Sequence, residues 1–136
     1  MSLLKIHRPD WTLAILTLPS REEYLGRLVQ SIAATVDPAR AEVLILRNDG
    51  PEPLTADARA RLESLAGTLS LRFLPGHAEP TITRGRNALL AACRTGRICF
   101  LDDDVTVHGD LLRSLDDYVG DAMAAAGGVF PDLYVG

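Results

Sequence analysis

The chain is poor in cysteine. It has two, Cys93 and Cys99, too few for a metal cluster or a disulfide framework, and both sit inside apolar patterns, where they read as reduced core thiols. Aromatic residues make up only 5% of the sequence. No apolar run approaches the roughly 20 residues that a bilayer-spanning helix needs. The N-terminus has no basic segment followed by a long apolar stretch, so no secretory signal is read there and the expected location is the cytoplasm. A surplus of positive charge is missing too: 14 Lys and Arg stand against 18 Asp and Glu, for a net charge of −4. That balance gives no electrostatic grip on a nucleic-acid backbone.

Two phosphate-binding signatures are absent. Where a dinucleotide fold would carry G-x-G-x-x-G after its first strand, this chain has Leu18-Pro19-Ser20, and no G-x-x-x-x-G-K followed by Ser or Thr occurs. A phosphoacceptor receiver domain would place an acidic pair after the first strand, and none stands there.

What is present is a soluble, single-domain pattern: 136 residues, 47% hydrophobic, enough for one sizeable core. Strand-like and helix-like segments alternate. Trp11 to Leu16 (WTLAIL) reads as a buried strand closed by Pro19. Ser20 and Glu23 have capping-box spacing before a helix whose apolar face carries Tyr24, Leu25, Leu28, Val29 and Ile32. A second strand, Glu42 to Arg47, ends in the turn cluster Asn48-Asp49-Gly50-Pro51. Ala58, Leu62 and Leu65 mark the next helix, stopped by Gly67, and Leu69, Leu71 and Phe73 alternate as a third strand. After a Pro75-Gly76 turn, Arg86 to Arg94 reads as a helix, followed by the strand RICFL from Arg97 to Leu101. Leu111, Leu112, Leu115 and Tyr118 predict a last helix with Asp110 as its cap, and the tail DAMAAAGGVF is read as a short strand.

Alternating strands and helices predict an α/β fold with a mostly parallel sheet flanked by helices. In such open sheets ligands bind beyond the carboxyl ends of the strands, where strand order reverses. The segments expected at that edge are Thr17 to Arg21, Asn48 to Pro51, Pro75 to Thr83 and Asp102 to Asp104.

The last of these is the most pointed. Three consecutive aspartates end an apolar strand. Alternation along an extended segment lets Asp102 and Asp104 point one way and Asp103 the other. Adjacent carboxylates resist ionisation together, and a hard cation such as Mg²⁺ or Mn²⁺, which often shares its shell with substrate phosphates, reverses that penalty. The competing reading is a solvated turn or a cap for the following helix. His77 and His108, each a lone histidine in or near a polar loop, are further candidates for a ligand or base, whereas His7 reads as an N-terminal surface residue.

The block RGRNALLAACRTGRICFLDDDV resembles the central block of inverting family-two glycosyltransferases of GT-A fold, in which Arg-Asn opens a helix and an apolar strand runs into Asp-x-Asp. WTLAILTLPSREEYLGRLVQSI and EVLILRNDG are similar to that family's first strand and helix and its second strand. The resemblance implies a Rossmann-like sheet of the nucleotide-diphospho-sugar transferase type, with Mn²⁺ or Mg²⁺ at Asp102 and Asp104 and a nucleotide-diphospho-sugar donor. Donor contacts are implied for Thr17, Leu18, Pro19, Asp49, Arg86 and Asp103. Asp49 would meet the base, since Asn48 replaces the first of the family's paired acids. Thr17-Leu18-Pro19-Ser20 departs from the usual turn, so contacts there would rest on backbone groups. Arg86 would neutralise the diphosphate or, alternatively, pair with Asp102 or Asp104, and Asn87 reads as structural.

The implied chemistry is inversion at the anomeric carbon, with a separate carboxylate deprotonating an unknown acceptor hydroxyl. In the family that base follows the metal strand by a long segment, and Asp132 comes too soon to serve. The chain therefore reads as an apparently truncated, donor-binding portion spanning 1–136, with the acceptor-binding part and the general base outside it. Val129, Phe130, Leu133, Tyr134 and Val135 are expected to drive self-association. Two other readings remain: a non-catalytic α/β interaction module, and a GT-A-like nucleotidyltransferase, which usually carries a glycine-rich basic loop after its first strand that is absent here.

Overall fold

The structure, a computed structural model, describes residues 9–125. Four parallel strands form one sheet in the order β3-β2-β1-β4, where β1 is Trp11–Thr17, β2 Ala41–Arg47, β3 Ser70–Leu74 and β4 Arg97–Asp102. A 3-10 turn, Pro19–Arg21, leads into α1 (Glu22–Thr35). The remaining helices are α2 (Ala56–Ala66), α3 (Ile82–Ala92) and α4 (Leu111–Ala125).

Strand side chains alternate between two faces, and the helices divide accordingly. Trp11, Leu13, Ile15, Val43, Ile45 and Cys99 pack with α1, α2 and α4 through Leu28, Ile32, Leu62, Leu112 and Leu115. The opposite face, with Ala14, Leu44, Leu46 and Ile98, packs on α3 through Leu89. The chain builds β1, β2 and β3 outward in one direction and then returns to lay β4 against the other side of β1. Strand order therefore reverses between β1 and β4, with the ends of both strands on one edge.

The opposite edge is closed by a polar latch. Trp11, fully buried, donates its indole N–H to Asp116 Oδ1 at 2.8 Å, and Arg40 reaches Asp116 Oδ2 at 2.8 Å and Asp10 at 2.6 Å. Arg97 adds a contact to Asp116 at 3.2 Å. Burial alone would raise the Asp116 carboxyl. The Trp11 and Arg40 hydrogen bonds and the charges of Arg40 and Arg97 outweigh it and hold the group below its ordinary value.

Several local expectations differ from what is seen. The capping box does not form: Pro19, with its fixed φ, starts the 3-10 turn, which takes Ser20 inside it, and Arg21 occupies the N-cap of α1 without a side-chain cap. Helix α3 begins at Ile82 rather than Arg86, because Thr81 caps it by accepting from the Arg84 N–H at 3.0 Å. Residues 121–125 continue α4 rather than forming a strand, as alanine's helix propensity favours. The rest of that tail, with the proposed association segment, lies outside the described residues. Tyr24 and Tyr118, read as apolar-face positions, are 47% and 56% exposed. The Asp110 cap on α4 and the Gly67 stop of α2 are as expected.

Candidate functional site

At the reversal point, the end of β1 and the end of β4 are tied together by one buried carboxylate. Asp103 is 7% exposed and Thr17 is 2% exposed, and Thr17 Oγ1 donates to Asp103 Oδ2 at 3.0 Å. Arg21, in the 3-10 turn that follows β1, donates from Nε to both Asp103 oxygens at 2.8 and 2.9 Å. Its Nη2 lies 3.4 Å from Asp104 Oδ2. The Arg21 guanidinium is pushed above its usual value, first by the hydrogen bond to Asp103, then by that group's charge, with a smaller contribution from Asp104. Tyr24 lies beneath it, with its ring centroid 5.0 Å away.

Asp103 thus faces the interior while Asp102 and Asp104, on either side, are exposed at the crevice. Asp102 shares a sheet face with Phe100, over whose ring the Arg86 guanidinium sits at 5.9 Å from the centroid. Asp104, one of the two acids foreseen as a partner for Arg86, is paired to Arg21. Leu18 and Pro19 stand exposed at the lip beyond Thr17.

The second wall comes from the end of β2. Asn48 bonds β1 through its N–H to the Thr17 carbonyl at 2.8 Å, and its Nδ2 donates to the Thr81 carbonyl at 3.3 Å, fastening the start of α3. Its Oδ1 is buried beside Gly85 without a hydrogen-bond partner. Gly85 has no room for a side chain, since a Cβ would stand 2.6 Å from Leu16 Cδ2 and 2.9 Å from Asn48 Oδ1. Asp49 is held by Arg47, whose Nη2 donates to Oδ2 at 3.2 Å and whose Nε bonds Oδ1. The Pro75-Gly76 loop lies so tightly on this turn that a Cβ on Gly76 would run into the carbonyl oxygens of Gly50 and Arg47.

The fold therefore brings Thr17, Leu18, Pro19, Asp102, Asp103 and Asp104 to one edge, with Asn48-Asp49 next to them and Arg86 on the α3 side. His77 and His108 have local partners instead. His77 Nδ1 accepts from the Glu79 N–H at 2.9 Å and His108 Nε2 lies 3.1 Å from Thr106 Oγ1, both in exposed loops. Among the described residues no group of three or more His, Cys, Asp and Glu could hold a metal ion. A cation at Asp102 and Asp104 would complete its shell with substrate and water oxygens, as Mg²⁺ does when bound by one or two carboxylates and phosphates. The donor set fits that case and not an all-protein cage.

Arg21 is the residue that sequence reasoning missed. Its signal was a basic side chain in the turn after the first strand, facing a segment of three acids, and it needed the β1/β4 pairing to be seen.

Residues 14–132 match the family model described as Glycosyl transferase family 2. No curated protein matches the chain. Among solved structures, TarS of S. aureus superposes with a TM-score of 0.65 at 16% identity over 82% of this chain and 20% of that one. A structure of TarS 1-349 in complex with UDP gives the same TM-score and identity, with 32% of its length covered. The WbbM bifunctional glycosyltransferase, in its apo structure, matches with a TM-score of 0.58 at 21% identity, over 85% of this chain and 22% of that one. The chain thus spans between a fifth and a third of these structures. Among the described residues, no helix is long and apolar enough to cross a membrane.

Proposed function

Since the chain belongs to glycosyl transferase family 2 and has the GT-A arrangement of a parallel sheet flanked by helices, we propose that it binds the nucleoside diphosphate part of a nucleotide-sugar in the crevice between the ends of β1, β2 and β4. The observation that carries this reading is the exposed pair Asp102 and Asp104 on either side of the buried Asp103 at the point of strand-order reversal.

Asp102 and Asp104 would hold a divalent cation, Mn²⁺ or Mg²⁺, whose chemistry is to stabilise negative charge on the departing diphosphate. The chain's own residues do the rest of the binding. Arg86, over Phe100 and on the face that carries Asp102, supplies positive charge to the diphosphate side. Leu18 and Pro19 offer apolar and backbone contact to the base. Asp49 accepts from the base edge with lone pairs that Arg47 leaves over, because each carboxylate has about four acceptor sites. Asp103 is assigned to fixing the turn rather than to contact with the sugar, since Thr17 and Arg21 engage both its oxygens. The base that deprotonates an acceptor hydroxyl, with inversion at the anomeric carbon, is assigned to no described residue.

Calorimetric titration of UDP, GDP and dTDP, each with and without Mn²⁺, tests the reading. One of the three is expected to bind at least tenfold more tightly with the metal, a gain that Asp102→Asn with Asp104→Asn removes and Asp49→Ala leaves in place while weakening metal-free binding. Equal affinity with and without Mn²⁺ for all three would sink it.

A further inference from the structure

We propose that Arg21 is a positioning residue of the site: it locks Asp103 inward and so presents Asp104 to the crevice, resting on it as a counter-cation until a divalent metal takes over. The inference rests on the functional reading above and adds a residue and an order of events to it.

The two contacts of Arg21 are unlike. Toward Asp103 it offers Nε to both oxygens at 2.8 and 2.9 Å, with a carboxylate side chain only 8% exposed. Toward Asp104 it offers Nη2 at 3.4 Å, with a carboxylate 54% exposed. The first is a short, charge-assisted bond to a buried carboxylate, and the second is a loose, solvated one. A cation arriving at the crevice can therefore draw Asp104 away while Asp103 stays in place. Thr17 Oγ1 holds the same Asp103 from the strand side, so the carboxylate is fixed from two directions. Asp103 and Asp104 lie in the turn past the end of β4, where strand alternation alone no longer fixes which of three adjacent, mutually repelling aspartates turns inward, and a swapped inward residue would take a ligand away from the metal. Geometry also explains why arginine suits the place better than lysine. A planar fork can bridge two carboxylates at once, whereas an ammonium is a single point charge on a flexible stem.

Two variants test this, with Mn²⁺ and UDP, GDP or dTDP as probes in the same calorimeter. Arg21→Lys keeps the charge and loses the bridge, and Thr17→Val keeps the volume and loses the 3.0 Å donor to Asp103 together with a long 3.5 Å contact to the Leu18 carbonyl. Arg21→Lys is expected to weaken nucleotide binding in the presence of Mn²⁺ by at least tenfold while changing metal-free binding less than twofold. Thr17→Val should show the same selective loss at about threefold. The split is the informative readout, since general destabilisation of the crevice would weaken both equally. If the wild type gains from Mn²⁺ and both variants keep the full gain, or lose metal-free binding to the same degree, the positioning role is wrong although the metal site stands. If the wild type gains nothing from Mn²⁺, the functional reading fails and takes this proposal with it. Should Arg21→Lys not fold, Thr17→Val decides alone.

Discussion

At the scale of single residues the turn after β4 shows what alternation can and cannot tell. The period of two expects Asp103 on the side away from Asp102 and Asp104, and the burial agrees, although the strand ends at Asp102 and the next two residues lie in a turn closed by the Val105 N–H on the Asp102 carbonyl. What Asp103 meets on the inside was not legible, because Thr17 and Arg21 lie 86 and 82 positions away in sequence and arrive there only through the strand order. Asp103→Ala leaves the buried Thr17 hydroxyl with a long contact to the Leu18 carbonyl and the partly exposed Arg21 without its carboxylate, so it should lower unfolding free energy by about 1–3 kcal/mol, whereas Asp102→Ala should stay within roughly 0.5 kcal/mol. Urea midpoints on the two variants check this, and equal shifts would contradict the anchoring of Asp103. Gly76 makes a second case. It was read only as a turn residue, yet its place is set by the Gly50 and Arg47 carbonyls against which it lies. Gly76→Ala must push one loop off the other and should cost about 1–3 kcal/mol as an overpacking change, read from the same urea curves.

Among the elements, α4 is the one whose sequence signals pulled apart. Alanines at 122, 124 and 125 favour helix and the glycines near them favour a break, and the structure continues the helix to Ala125. Its Asp110 cap and its apolar positions Leu112 and Leu115 were legible from local pattern. Its Asp116 anchor was not, since the partners Trp11, Arg40 and Arg97 come from β1, the β2 approach and β4. Asp116→Ala leaves the buried Trp11 indole without its acceptor and should cost about 1–3 kcal/mol. Asp116→Asn keeps an acceptor but loses ion pairs that are about one-third exposed, so about 1 kcal/mol is expected. The pH dependence has a definite sign. The carboxyl lies below its ordinary 3.8 in the folded chain, so its contribution is full above that value and is lost as pH falls from there through the lowered one. The gap in stability between wild type and Asp116→Asn should accordingly close on acidification below about pH 4, as followed by urea unfolding at a series of pH values. A gap that widens toward acid would mean that the carboxyl is not held low.

For the whole molecule, the alternation of strands and helices was enough to give a parallel α/β sheet, because the periods of the four strands and of the helices between them agree with the fold even where a cap or a boundary does not. Strand order was a different matter. The reversal between β1 and β4 depends on pairings between distant segments, and it is this that turns three separate loops into one crevice. The two edges of the sheet now offer contrasting carboxylate groups. Asp102 and Asp104 stand exposed at the crevice, Asp104 in a loose 3.4 Å contact with Arg21, and Asp10 and Asp116 at the other edge are held by Arg40 at 2.6 and 2.8 Å. A cation that serves a nucleoside diphosphate should therefore settle at the first edge alone. The most direct test is an amide NMR spectrum of the labelled chain titrated with Mn²⁺ in the presence of UDP, GDP or dTDP in turn. Selective broadening is predicted at residues 101–105 and at Thr17 and Leu18, with the amides of Asp10, Trp11 and Asp116 left sharp. Broadening centred on Asp10 and Asp116, or spread evenly over the spectrum, would contradict a metal-assisted donor site at the end of β4.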